Sequence, residues 1–165
     1  MAPKTLAPLL ATLSITLAAP ASAQSVLIGL GYADFSSSSS NDEALLSLEY
    51  QHNPFFQSGR WIAGWAGNAS VHFNGDVFLG VGIYGEYTLN SDWYLEASLM
   101  PGAFFEGESR NDLGSEFEIR SLIGVGYRLD NGDSISLAVT HKSNASTSSF
   151  NPGVNAVLLR YHRSF

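Results

Sequence analysis

The sequence predicts an all-β fold: an eight-stranded antiparallel transmembrane β-barrel with short periplasmic turns and longer extracellular loops. Three observations carry that expectation. Apolar residues alternate with polar residues or glycine in eight successive segments, the two-residue period of a strand. Aromatics gather at segment ends, at Tyr32, Tyr50, Trp61, Tyr87, Trp93, Tyr127 and Tyr161, as in an interfacial girdle. The face opposite the apolar one carries Glu49, Glu86, Glu96, Glu118, Arg120, Arg128 and Arg160 beside glycines. A soluble sandwich would turn that face to water. A membrane barrel turns it into a narrow lumen and gives the apolar face to lipid. The final run Tyr161-His162-Arg163-Ser164-Phe165 ends the last segment on an aromatic, which fits the barrel.

The elements follow in order. Met1-Ala2-Pro3-Lys4, an apolar run to Leu17 and Ala21-Ser22-Ala23 before Gln24 have the three parts of a secretory signal peptide. Residues 1–23 are expected to be that signal, and residues 24–165 a single barrel domain. The first strand, 25–34, puts Val26, Ile28, Leu30 and Tyr32 on one face. A serine-rich loop follows at 35–41, low in complexity and solvent-facing. The second strand, 42–51, aligns Ala44, Leu46, Leu48 and Tyr50, and His52-Asn53-Pro54 breaks it. The third, 60–69, aligns Trp61, Ala63 and Trp65. The fourth, 77–87, has Val77, Leu79, Val81 and Ile83 opposed to Phe78, Gly80, Gly82 and Tyr84. The fifth, 93–105, places Pro101 near its far end, where a break is tolerated. The sixth, 116–129, ends at Asp130-Asn131-Gly132, a tight-turn signal. The seventh, 134–143, and the eighth, 151–165, close the set. Connections alternate between long (34–42, 70–76, 106–115, 144–153) and shorter (52–60, 89–92, 130–133).

Composition narrows the function. The chain has 165 residues and no cysteine, which excludes disulfides, thiolate catalysis and cysteine metal sites. Its net charge is −7, and loss of Lys4 with the signal makes the remainder one unit more acidic. An acidic chain without a basic cluster argues against nucleic acid. No apolar run after residue 23 is long enough for a spanning helix. His52 and His72 lie at connections and His162 points to the lumen by parity; no His/Asp/Glu spacing resembles a metal site. Neither a metal nor a cofactor is expected. The inward Glu and Arg residues are expected to form a structural ion-pair network, since an unpaired buried charge is costly.

One stretch carries chemistry. Strand seven keeps Ile135, Leu137, Val139, His141 and Ser143 on one face. With termini in the periplasm and long loops outside, strand seven runs outward. His141 and Ser143 then lie at the outer rim, facing lipid at headgroup level. Strand eight returns with Asn155, Val157, Leu159 and Tyr161 on the same face, so Asn155 reaches His141. A serine becomes a useful nucleophile when a histidine takes its proton and a third group fixes the histidine tautomer. At that height the set would meet lipid ester bonds.

His141-Lys142-Ser143-Asn144-Ala145, Asn151-Pro152-Gly153-Val154-Asn155, Leu159-Arg160-Tyr161 and terminal Phe165 together resemble the end of the lipid A 3-O-deacylases (PagL type). The resemblance is specific over residues 120–165 and general upstream. It implies an eight-stranded barrel of the cell outer membrane that removes the ester-linked acyl chain, a 3-hydroxyacyl group, from position 3 of lipid A with a Ser-His-Glu triad. Its partner would be the lipid A of outer-leaflet lipopolysaccharide. Carried over, His141 is the general base and Ser143 the nucleophile, while Asn144 or nearby backbone amides hold the oxyanion. The family's triad acid falls at position 155, where this chain has Asn155, which can orient His141 without offering it a charge. In a serine protease, losing that charge with the wrong tautomer costs about 10⁴ in rate. No Asp or Glu follows His141, so a replacement acid must come from another strand. Lys142 also departs from the aromatic expected there, and parity points it inward. The alternatives are a catalytically silent barrel with a structural or adhesion role, favoured by Asn155, and a small channel, disfavoured because eight strands leave a filled lumen. A homodimer is compatible with the sequence.

Overall fold

Each alternating segment becomes a strand, because period-two apolarity buries one face and gives the other to lipid. The computed structural model describes residues 24–36 and 40–165. The expected signal peptide at 1–23 and the centre of the serine run lie outside the described residues. The strands are β1 Ser25–Phe35, β2 Glu43–Ser58, β3 Trp61–His72, β4 Val77–Thr88, β5 Trp93–Phe105, β6 Phe117–Arg128, β7 Ser134–Ser143 and β8 Val154–Ser164. They close in chain order into one antiparallel barrel, with β8 paired back onto β1. The face pattern is inside-out: Leu159 is 63% exposed while its neighbour Arg160 is 2% exposed. Trp61 packs at a tilt against Tyr87 and Trp93 edge-on against Tyr127, with ring centroids 4.6 and 5.0 Å apart. Both pairs stand at the short-turn end and mark one membrane interface.

One expected boundary is corrected. Strand β2 does not stop at Gln51 but runs on to Ser58, with register shifts between Gln51 and Pro54 and between Pro54 and Phe56. Pro54 has no N–H to give the ladder, so it sits where the pairing bulges instead of ending the strand. The expected 52–60 connection shrinks to Gly59 and Arg60, with Gly59 at φ 58°.

On the inward face the charged and apolar residues separate into layers. Its outer part is an apolar plug of Phe35, Leu45, Phe78, Phe104, Val154 and Leu158, all buried. The ionic layer lies beneath. Arg160 holds Glu49 and Glu96, each at 2.9 Å, and Arg120 reaches Glu49 at 3.3 Å. His162 points inward and meets Ser136 Oγ at 2.9 Å. Arg128 pairs with Glu86 nearer the short-turn end. The ion-pair network is therefore present, in a barrel filled by side chains as eight strands require, but it leaves out Glu118, which is buried with neither carboxylate oxygen hydrogen-bonded among the described residues.

The long loops interlock over the plug. Asp76 is wholly buried; it accepts from the backbone N–H groups of Gly107 and Glu108 at 2.7 and 3.1 Å and from Asn111 Nδ2 at 2.9 Å. Asn111, in a 3₁₀ turn at Ser109–Asn111, in turn accepts from the Asn41 N–H at 3.0 Å. Three loops thus share one hydrogen-bonded layer, and the fourth, after β7, joins it through Asn144 Nδ2 and the Leu113 carbonyl at 3.0 Å.

Candidate active site

The site is built on strand register. His141 stands directly opposite Asn155 in the β7–β8 ladder, and both side chains point outward and are exposed. The imidazole Nδ1 lies 2.9 Å from Asn155 Oδ1. A carbonyl oxygen only accepts, so Nδ1 carries the hydrogen and Nε2 keeps its lone pair. Asparagine thus fixes the tautomer a general base requires.

Gly153 makes room for that ring. At φ 70°, its backbone is one that L side chains rarely adopt, and a Cβ there would fall 3.0 Å from His141 Cε1. A side chain at 153 would press on the imidazole edge from the loop side.

Ser143 is the last residue of β7, two beyond His141 on the same face, and half-buried. Among the described residues its hydroxyl makes no hydrogen bond to the imidazole. The spacing of i and i+2 along a strand, about 6.7 Å, brings the two side chains together only when the seryl χ1 turns toward His141. A serine that sequence reasoning missed lies on the other side: Ser121 of β6 pairs with His141 and donates to its carbonyl oxygen at 3.4 Å. Cross-strand neighbours between distant hairpins leave no local sequence signal.

Asn144 is corrected. Its side chain is wholly buried and points into the loop layer. Nδ2 gives its hydrogens to the carbonyls of Leu113 and Phe150 at 3.0 and 2.8 Å, and Oδ1 accepts from Ser146 N–H at 3.0 Å. Its own N–H donates to Asn151 Oδ1 at 3.1 Å. No side-chain donor remains for an oxyanion. The residue instead ties down the tight turn that follows Ser143, in which Thr147 N–H bonds the Asn144 carbonyl at 3.0 Å. Ala145 and Ser146 hold φ of 51° and 62° there, each costing about 1–2 kcal/mol in a non-glycine residue. Such strain persists only where surroundings over-determine it. Asn144→Ala leaves one buried and one part-buried carbonyl unpaired and is expected to lower stability by about 2–4 kcal/mol. Urea unfolding of the detergent-folded barrel, followed by tryptophan fluorescence, measures it; an unchanged midpoint would contradict the role.

Lys142 points inward as expected, with Nζ 3.1 Å from His72 Nε2. Below the rim, a shallow apolar groove of about 640 Å³ runs over β3–β7, lined by Val139, Ile123, Ala97, Leu137, Leu95 and Trp61 among others. Its upper edge, Val139 and Ile123, lies two residue pairs beneath His141 and Ser121.

A family profile described as "Lipid A 3-O-deacylase (PagL)" matches residues 42–164. The crystal structure of the outer membrane enzyme PagL is similar at TM-score 0.65 and 22% identity, over 84% of this chain and 97% of that one. A designed transmembrane β-barrel is similar at TM-score 0.57 and 11% identity, over 86% and 94%. Neisserial surface protein A is similar at TM-score 0.54 and 12% identity, over 86% and 96%. No curated protein matches the sequence.

Proposed function

The chain belongs to the lipid A 3-O-deacylase (PagL) family, and on that ground we propose that it is an outer-membrane esterase removing the 3-position acyl chain of lipid A by serine–histidine catalysis. The observation that carries the reading is the 2.9 Å bond from His141 Nδ1–H to Asn155 Oδ1, on the lipid-facing rim at the long-loop end, with Ser143 two residues beyond. In this reading His141 Nε2 takes the Ser143 Oγ proton as Oγ attacks the ester carbonyl. The tetrahedral intermediate expels the sugar 3-oxygen, which receives that proton. Water, activated by the same Nε2, then frees the acyl group from Ser143 as a 3-hydroxy fatty acid. With the Asn144 side chain committed to the loop, backbone amides hold the oxyanion. The Asn144 N–H is taken by Asn151 Oδ1, and the next along the chain, that of Ala145, meets no acceptor among the described residues.

Asn155 lowers the rate less than the 10⁴ penalty of the protease case suggests. That penalty combines a wrong tautomer with a lost charge. Here Oδ1, not Nδ2, faces the imidazole, so only the charge term is missing.

Mass spectrometry of lipid A incubated with detergent-folded protein tests the reading. Wild type is expected to remove one hydroxyacyl mass and His141→Ala none. The second reading, a silent barrel, is favoured by the absent carboxylate at 155 and the unmade Ser143–His141 bond. It is supported if folded wild type leaves lipid A intact while Asn155→Glu cleaves it.

A further inference from the structure

Barrel closure brings one more charged group to the site. In the β1–β8 ladder Asp34 stands directly opposite Asn155, and Asn155 stands directly opposite His141 in β7–β8. Asp34, Asn155 and His141 therefore form one row across three adjacent strands, and all three side chains are exposed on the outward face. We propose that Asp34 supplies the charge that position 155 lacks, acting through the Asn155 amide as a positioning residue for His141. The proposal rests on the serine–histidine reading above.

The physical case has four parts. First, the amide is bipolar. Its Oδ1 is spent on His141 Nδ1–H, which leaves Nδ2, a pure donor, for the strand on the other side. A carboxylate is the acceptor that a donor there pairs with best, through a charge-assisted hydrogen bond. Second, the row is rigid. Pairing continues past it, with Phe35 opposite Val154 and Ser36 N–H bonded to the Gly153 carbonyl at 3.3 Å. Asp34 thus sits on a ladder and not on a loose loop. Third, the nearby acids are bonded or turned elsewhere. Asp42 Oδ1 accepts from Phe35 N–H at 3.1 Å. Glu43 pairs with inward-facing Ala33, and Glu118 is wholly buried in the lumen. On the far side His141 faces neutral Ser121. Fourth, the reach is right for a relay and wrong for direct contact. Neighbouring strands lie about 4.8 Å apart, so Asp34 is one spacing from Asn155 and two from His141.

Among the described residues no side-chain hydrogen bond joins Asp34 to Asn155. Hydrogen bonds of this kind are often long in free enzymes and tighten in the substrate complex. In that complex the carboxylate polarises the amide and the amide stabilises the imidazolium, as linked hydrogen bonds strengthen one another. A glutamate at 155 would offer the charge directly; an asparagine transmits it from the next strand.

The test is steady-state kinetics on lipid A in mixed micelles, read by mass spectrometry, with heat-modifiable gel mobility confirming the folded barrel. Asp34→Asn is expected to lower kcat about tenfold, the scale of a unit charge acting across two strand spacings at the effective permittivity of a protein surface. KM should be unchanged, and Asp34→Glu should recover most of the loss. In an Asn155→Glu background, Asp34→Asn should cost markedly less, because the charge then sits beside the imidazole. Three results would overturn the proposal: full kcat in Asp34→Asn, an equal loss in both backgrounds, or a change confined to KM, which would mark Asp34 as a headgroup contact. Ser143→Ala separates the two levels. If that variant still turns over, the serine–histidine reading itself has failed; if it is dead while Asp34→Asn is normal, only the relay has.

Discussion

Ser143→Ala is expected to lower lipid A deacylation by at least about 10³-fold while leaving the barrel folded. The two halves of that expectation have separate causes. Without Oγ no acyl-enzyme can form, and His141 is left as a base with nothing to activate on its own strand. Stability is spared because Ser143 is half-buried and its hydroxyl makes no side-chain hydrogen bond among the described residues, which places the change within about 0.5 kcal/mol. His141→Ala should be as inactive, and the double variant no worse than either, since residues acting as a unit are not additive. Ser121→Ala is the control. Ser121 also neighbours His141, but its hydroxyl is turned to a backbone carbonyl, and the variant should keep its activity. Initial rates by mass spectrometry decide. A dead Ser121→Ala beside an active Ser143→Ala would move the nucleophile to β6.

What the sequence showed of this site was whatever depends on parity and on nearest hairpins. His141 and Asn155 lie on successive strands joined by one loop, so alternation alone put them on the same face. The register then set them directly opposite each other. Asn144 was misjudged for a different reason. Its role depends on a turn with Ala145 and Ser146 at positive φ, residues whose propensities give no warning of that backbone. Its partners Leu113 and Phe150 belong to loops, where alternation says nothing. Asp34 was invisible because it meets the site only through closure of the first strand onto the last. The charged lumen was legible for Glu49, Glu86, Glu96 and their arginines, since isolated charges in strand centres call for partners, but Glu118 has none among the described residues. Of the apolar plug above it, parity put Phe78 on the inward face; its layering over the charges was not legible, because it depends on loops, where alternation says nothing.

The lumen is also where the fold itself is most exposed to a single change. Glu49→Ala is expected to destabilise the barrel by about 3–5 kcal/mol, the cost of removing one partner from a buried ionic cluster. Glu49 reaches from β2 across the lumen to Arg160 on β8 at 2.9 Å and Arg120 on β6 at 3.3 Å. The two cations do not lose equally. Arg160 keeps Glu96 at 2.9 Å, whereas Arg120 is left with Met100 Sδ at 3.8 Å and no carboxylate within salt-bridge distance among the described residues. Most of the penalty is thus an unpaired guanidinium on β6, and Arg120→Met should relieve it. The double variant is expected to be more stable than Glu49→Ala alone, a non-additivity that neighbouring residues of one network show. Urea midpoints of the folded barrels measure both, and a Glu49→Ala midpoint equal to wild type would refute the assignment. The site should feel the loss only through the folded fraction. Arg120 is one residue from Ser121 and pairs with Lys142, yet the His141–Asn155 contact is held by the β7–β8 ladder and not by the lumen. Turnover per folded molecule should therefore hold while the population falls.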